Sequence, residues 1–385
     1  MQYRKHNSLE LSEIGIGCYA LSGAYGFVDV QRFKKMIQHA YEMGVNFFDT
    51  AEGYGEGEKI LGKAINSFHE DVNIATKVGV RERIKPNLSE SYIRKACDRS
   101  LKQLDTDYID LYQVHFHDST TPVEETIGAL DSLVREGKIR HYGVGHLPRH
   151  QVTKYCGKGT PFSILMELSA VTRNSREELL PLCNTYDVAG IAFSTTGRGI
   201  LTGKYGSNTK FEPGDMRNVD PLFQRARLES ALRIKECFKQ LAQGYGATSV
   251  QMAIAWVLAQ DGIVCALTGT SKIEHLEENL GASGLRIKRT DLNELEKIFT
   301  EEDKWLVKEE EQIIKSILSN PLPNDPQQAF TDLVYVLETS IDLELLNEQT
   351  VHSTFMELWP LKQKLDQSIQ PKLVAIQKKL KDLFS

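Results

Sequence analysis

Eight short apolar runs, separated by segments of helical period, constrain this chain more than any other feature. The runs are residues 14–16, 45–49, 72–76, 108–115, 139–144, 162–168, 188–194 and 263–267. Between them, residues 30–43, 89–104, 122–135 and 175–186 carry apolar side chains at i, i+3 and i+4, the stripe of a helix lying on a sheet. Strands that alternate with helices pair in parallel, because each helix carries the chain back to the end where the last strand began. Eight units of this regular spacing favour closure into a (β/α)8 TIM barrel over an open doubly wound sheet. The expected fold is therefore α/β, with residues 2–12 as an N-terminal β-hairpin plugging the barrel floor and an α-helical C-terminal extension.

After Ala282 the alternation stops and the chain turns rich in Glu, Lys, Leu and Gln. The expected division is a barrel over residues 1–302 and a helical extension over 303–385. The stretch from Asn320 to Pro326 reads as a linker or sharp turn. Phe330, Leu333, Val334 and Leu337, and later Leu373, Ile376, Leu380 and Leu383, mark amphipathic helices, while Phe355, Met356, Leu358 and Trp359 form an apolar cluster. Residues 197–228 are too many for an ordinary connection and read as a functional loop on the ligand face.

Composition removes several function classes. Over 385 residues, 46 Lys and Arg stand against 52 Asp and Glu, a net charge of −6, which offers no basic footprint for nucleic acid. No run of ~20 apolar residues is present to span a membrane, and the opening Met-Gln-Tyr-Arg-Lys-His lacks a secretory core. Six cysteines lie scattered without paired spacing, as in a cytoplasmic protein with reduced thiols. The expected partner is a small molecule, with no nucleic acid and no membrane. The tail reads as a scaffold on the barrel or a homo-oligomer contact rather than a lid.

A parallel barrel assembles its site where the strands end at their carboxyl side, so polar residues that terminate apolar runs are the candidates. Asp49, Lys77 and His115 are three, and Tyr54 follows in the turn Glu52-Gly53-Tyr54-Gly55. A phenol of pKa ~10 is a poor proton donor near neutrality unless a nearby ammonium lowers it by ~1–3 units. Lys77, held by Asp49, supplies that ammonium, and a neutral His115 can donate a hydrogen bond to a carbonyl oxygen. Together these are the needs of a carbonyl reduction by hydride.

The chain resembles the aldo-keto reductase superfamily, nearer its bacterial and potassium-channel β-subunit branches. Residues 1–300 carry the likeness, most of it in Gly44-Val-Asn-Phe-Phe-Asp49-Thr-Ala-Glu-Gly-Tyr54-Gly-Glu-Gly-Glu58-Lys-Ile-Leu-Gly62. Supporting matches are Ile74-Ala-Thr-Lys77, Asp107-Tyr-Ile-Asp-Leu-Tyr-Gln-Val-His115 and Gly199-Ile-Leu-Thr-Gly-Lys204-Tyr. The resemblance implies a catalytic tetrad of Asp49, Tyr54, Lys77 and His115, with Tyr54 as proton donor in reduction of an aldehyde or ketone to an alcohol.

It also implies NADPH, with NADH as the alternative, held without a Rossmann fold. Phe193 matches the aromatic residue that stacks on the nicotinamide. Ser194, Gly197, Arg198, Leu201 and Lys204 match the belt over the pyrophosphate. Gly269, Ser271, Lys272, His275, Glu278 and Asn279 match the segment that holds the 2′-phosphate and adenine, where a helix start suits an anion. No metal is implied.

The chain departs from the family pattern at several points. Gly145-His146 stands where relatives carry the Ser-Asn pair that grips the carboxamide. Leu165 replaces the strand-six Gln, Leu168 a frequent Tyr, Ser194-Thr195-Thr196 the usual Ser-Pro-Leu, and His275 the usual Arg or Gln. These departures motivate an alternative reading, an NADP(H)-binding redox sensor or regulatory protein with little turnover. A further alternative, a zinc hydrolase, draws on His115, His117, Asp49 and His146.

Overall fold

A computed structural model describes residues 1–81, 86–343, 345–346 and 348–361. Two antiparallel strands open the chain, β1 (Tyr3–His6) and β2 (Leu9–Ser12), with Tyr3 opposite Ser12 and His6 opposite Leu9. Eight parallel strands follow: β3 (Ile14–Gly17), β4 (Phe47–Asp49), β5 (Asn73–Val78), β6 (Ile109–Val114), β7 (Ile139–Gly145), β8 (Ser163–Glu167), β9 (Ala189–Phe193) and β10 (Ile263–Thr268). Because β10 pairs with both β9 and β3, the sheet closes into the expected TIM barrel. The eight apolar runs are its eight staves.

Helices α1 (Val30–Glu42), α2 (Gly57–Ile65), α3 (Glu90–Leu104), α4 (Val123–Arg135) and α5 (Arg149–Lys158) connect successive strands. The single helix expected over 175–186 is instead two, α6 (Asn174–Glu178) and α7 (Leu180–Tyr186). Pro181 causes the break: it has no N–H for the carbonyl of Glu177, and its ring crowds that carbonyl. Arg149 takes up the freed acceptors, its Nη1 donating to the carbonyls of Glu177 (3.3 Å) and Glu178 (2.7 Å).

The chain divides into two compact units. One contains residues 1–23, 27–202 and 238–287, and hence the hairpin and the barrel. Its interior is filled by one alternate set of strand residues, Phe47, Ala75, Leu111, Leu165, Ile191, Cys265 and Leu267, together with Leu9 and Leu11 of β2. The hairpin thus closes the floor as expected: the Ser8 hydroxyl is hydrogen-bonded to His141 at 2.8 Å, and the His6 ring meets Phe162 edge-on at 5.4 Å. Helix α8 (Arg225–Gln243), which begins in the other unit, and helices α9 (Ser249–Leu258) and α10 (Ile273–Leu280) complete the connections around β9 and β10.

The other unit contains residues 24–26, 203–237 and the described residues from 288 onward. Its helices are α11 (Arg289–Ser319), α12 (Pro326–Leu343) and α13 (Glu348–Leu361), so the Pro-rich stretch is indeed a break between helices. Phe330, Leu333, Val334 and Leu337 form its core with Val219, Val351 and Leu358. Arg225 pairs with Asp332 and lies 4.5 Å from the Tyr335 ring, whose hydroxyl donates to the buried Glu310. Leu373, Ile376, Leu380 and Leu383 lie outside the described residues, as does the side chain of Trp359. No helix among the described residues is long and apolar enough to cross a membrane.

All six cysteines are free, and burial pushes the thiols of Cys97 and Cys183 up to about 12.

One buried carboxylate ties the hairpin to the barrel. Glu13, between β2 and β3, accepts from Arg4 Nε (3.0 Å), Arg286 Nη2 (2.6 Å) and the amide of Gly284 (3.0 Å). Burial alone would raise its carboxyl, but Arg286, the Gly284 amide and Arg4 outweigh it and hold it below the usual range. Glu13→Gln is expected to cost about 2 kcal/mol in thermal or urea unfolding. A depressed carboxyl stabilises the fold above its unfolded value and ceases to as pH falls through its folded one. The gap between variant and wild type should therefore shrink below about pH 4.3.

Candidate active site

The carboxyl end of the barrel gathers the four expected residues. Asp49 is the last residue of β4, Lys77 lies on β5, and His115 directly follows β6, its amide bonded to the carbonyl of Val78 at 2.9 Å. Tyr54 sits in the turn between β4 and α2. That turn is pinned by two backbone bonds, from Tyr54 to Ala51 and from Gly57 to Tyr54, both 3.0 Å. Glu52 anchors it further, accepting from the Gly79 amide (2.8 Å), the Tyr92 hydroxyl (3.0 Å) and Arg99 (3.3 Å).

Lys77 and Asp49 form a salt bridge with side chains only 1% and 6% exposed. The Lys77 ammonium also donates to the carbonyl of Thr50 at 2.7 Å. Burial pushes the Asp49 carboxyl up, and the Lys77 charge and the Gln113 amide oppose that rise. Lys77 Nζ stands 5.2 Å from the centre of the Tyr54 ring. Tyr54 meets His115 edge-to-face at 5.9 Å. Phenol, ammonium, carboxylate and imidazole are therefore one contiguous group.

Beneath β5, the Thr76 hydroxyl donates to Glu58 of α2 at 2.6 Å, which fixes the strand beside Lys77. Burial raises the Glu58 carboxyl, and its hydrogen bond from Thr76 opposes this.

The residues expected to hold a cofactor follow β9 and β10 at the same end of the barrel. Phe193 ends β9, its ring 4.6 Å from that of His146. Ser194, Gly197 and Arg198 all have left-handed backbones, with φ of 55°, 58° and 52°. The Arg198 guanidinium is engaged by Glu167 at 2.6 Å, and Leu201 is buried. Lys204 belongs to the second unit. Gly269, Ser271 and Lys272 lead into α10, where the Lys272 amide donates to Thr270 Oγ1 at 3.1 Å. His275, Glu278 and Asn279 lie on α10. Asn279 is buried, and the Glu278 carbonyl accepts from Gln251 at 3.0 Å.

Two of the departures from the family pattern prove to be one. Gly145 and Leu165 are register partners across β7 and β8. A Cβ on residue 145 would lie 3.2 Å from Leu165 Cδ2 and 3.3 Å from its Cβ, so the larger residue occupies the room left by the smaller. His146 adopts φ 49°, a conformation that His tolerates better than most residues. Its ring stands between Phe193 and His115, 5.4 Å from the latter. Thr195 is buried and donates to the Leu267 carbonyl at 3.0 Å, tying the end of β9 to β10. Among the described residues no group of three or more His, Cys, Asp or Glu is placed to hold a metal ion.

Sequence reasoning missed three contributors: Glu52, Gln113 and Ser163. The signal for Gln113 was present, a polar residue two before His115 and so on the same face of the strand.

The model of the Aldo/keto reductase family matches residues 13–299. The chain belongs to that family. It is similar to the probable aldo-keto reductase 1 of Glycine max, 35% identical over 294 residues, which are 74% of this chain and 85% of the relative. An aldo-keto reductase of Strobilurus tenacellus is 31% identical over 312 residues, 78% of this chain and 92% of that one. Among solved structures, a glycerol dehydrogenase from Gluconobacter oxydans superposes with a TM-score of 0.71 at 26% identity, covering 84% of this chain and 98% of the other. An aldo-keto reductase from Bacillus halodurans, in its holo form, gives 0.65 at 27%, covering 77% and 96%. Membership makes this chain an oxidoreductase of the carbonyl-reducing, NAD(P)H-dependent kind.

The fit between positions 145 and 165 in this reductase is measurable. Gly145→Ser should destabilise by about 1–3 kcal/mol through overpacking. In a Leu165→Ala background the same change should cost less, with a coupling of about 1 kcal/mol in a thermal-unfolding cycle.

Proposed function

We propose that this chain reduces an aldehyde or ketone to an alcohol with NADPH, and that Tyr54 is the proton donor. The observation that carries the reading is the buried Lys77 ammonium, fixed by Asp49 and set 5.2 Å from the Tyr54 ring. Held there, a positive charge favours loss of the phenolic proton at the moment a carbonyl oxygen needs it.

The residues present fit a nicotinamide nucleotide. Phe193 offers a half-buried π face at the end of β9. Ser271 and the exposed Lys272 stand at the amino end of α10, where backbone amides and the helix dipole suit a phosphate. When bound, the reduced nicotinamide supplies the hydride to the carbonyl carbon. The Tyr54 hydroxyl gives its proton to the carbonyl oxygen. His115 donates a hydrogen bond to that same oxygen and so fixes which face of the carbonyl is presented. Lys77 keeps its proton and moderates the charge left on Tyr54. A preference for NADPH over NADH rests on Lys272 beside Ser271, with His275 one turn further along.

The test is oxidation of NADPH and NADH, followed by near-ultraviolet absorbance, against a panel of aldehydes, ketones and sugar aldehydes. Turnover is expected with at least one of them. Tyr54→Phe should lose about 10²–10⁴ in kcat while still binding NADPH. Wild-type turnover in Tyr54→Phe would overturn the assignment, and tight cofactor binding without any turnover would favour the redox-sensing alternative.

A further inference from the structure

Four residues on consecutive strands share one level of the barrel interior. Lys77 is the register partner of Gln113, Gln113 of Gly143, and Gly143 of Ser163. Register partners in a parallel sheet project to the same face, so all four point inward. Position 143 has no side chain, and the space requires this: a Cβ there would lie 2.3 Å from Ser163 Oγ and 3.4 Å from Gln113 Cγ.

Through the gap over β7 the Ser163 hydroxyl reaches Gln113 Oε1 at 3.5 Å. Gln113 Nε2 in turn donates to Asp49 Oδ2 at 3.1 Å, while Asp49 Oδ1 takes the Lys77 ammonium. Gln113 and Ser163 are both fully buried. A single row of hydrogen bonds therefore runs from Ser163 through Gln113 to Asp49 and ends at Lys77.

We propose that Gln113, oriented by Ser163, is a positioning residue for the reaction: it holds the Asp49 carboxylate ionised and in one rotamer, and thereby holds the Lys77 ammonium beside Tyr54. The proposal rests on the reading of Tyr54 and Lys77 given above. A buried carboxylate oxygen without a donor bears the full desolvation cost of its charge, and a proton on that oxygen is the simplest relief.

The other titratable groups facing Asp49 do not substitute for the amide. Cys18, after β3, and Cys265, on β10, are held neutral by burial, which pushes both thiols up. The Tyr54 ring is centred 5.2 Å from Lys77 Nζ. Lys77 and Gln113 donate to the two oxygens of the Asp49 carboxylate through their side chains. Once Asp49 is protonated, Lys77 loses its counter-ion and its fixed place. Gln113 lies below His115 on β6, so its loss should act on kcat and leave KM for the carbonyl unchanged.

The test uses Gln113→Leu and Gln113→Glu in the full chain. Gln113→Leu is expected to lower kcat about tenfold and to move the acidic limb of its pH profile up by about one unit. Gln113→Glu, which sets a second carboxyl against the first, should move the limb further in the same direction. It is also the variant that carries the test if Gln113→Leu fails to fold. A ¹³C titration of the Asp49 carboxyl, assigned by its absence in Asp49→Asn, reads the same upward move without any turnover. A folded variant with wild-type kcat, limb and Asp49 titration overturns the proposal. If the wild type reduces no carbonyl, the reductase reading fails, and the ¹³C titration alone decides whether the relay holds.

Discussion

A lysine and an aspartate buried side by side are what the rest of the barrel has to accommodate. Desolvating each ion costs several kcal/mol, and their mutual attraction offsets this only when the remaining donors and acceptors are satisfied. Here the Thr50 carbonyl accepts a second hydrogen bond from Lys77, and Gln113 donates one to the second oxygen of Asp49. Each of those partners comes from a strand, or the end of one, whose position is fixed by its neighbours in a closed sheet. An open sheet would leave one flank of the pair to water. The pair and the closure of the barrel therefore depend on each other.

Much of this was legible in the sequence, for identifiable reasons. The eight strands stood out because each is a short apolar run bounded by a helical stripe, and the observed ends agree with the expected ones to within two residues. Asp49, Lys77 and His115 were visible because a polar residue at the end of an apolar run stands out against its neighbours. What was not legible involves residues distant in sequence. The break at Leu179 shows this well: Pro181 could be read, but the Arg149 side chain that satisfies the freed carbonyls lies some thirty positions earlier. Likewise Ser163 and Gln113 meet only because Gly143, on the strand between them, is empty. Strand register decides that, and register is not written in any one segment.

The same lesson bears on departures from a family pattern. Read singly, Gly145 and Leu165 each remove a polar group expected near the cofactor. In the structure they are one change in the distribution of volume between β7 and β8, and the packing around them is intact. His146 likewise leaves the backbone in a conformation that asparagine also favours, while it adds a ring to the wall between Phe193 and His115. The polar row beneath, from Ser163 to Lys77, is untouched by either substitution.

The N-terminal hairpin gives the site a direction. Leu9 and Leu11 are set into the barrel interior, and Ser8 and His6 close over His141 and Phe162, so apolar packing lies between the floor and the charge pair. The Tyr54 ring stands at the carboxyl end, 5.2 Å from Lys77 Nζ, on the side from which a substrate would approach. With its side chain only 1% exposed, the ammonium should exchange its hydrogens for solvent deuterium slowly, and more slowly still when a molecule covers the carboxyl end.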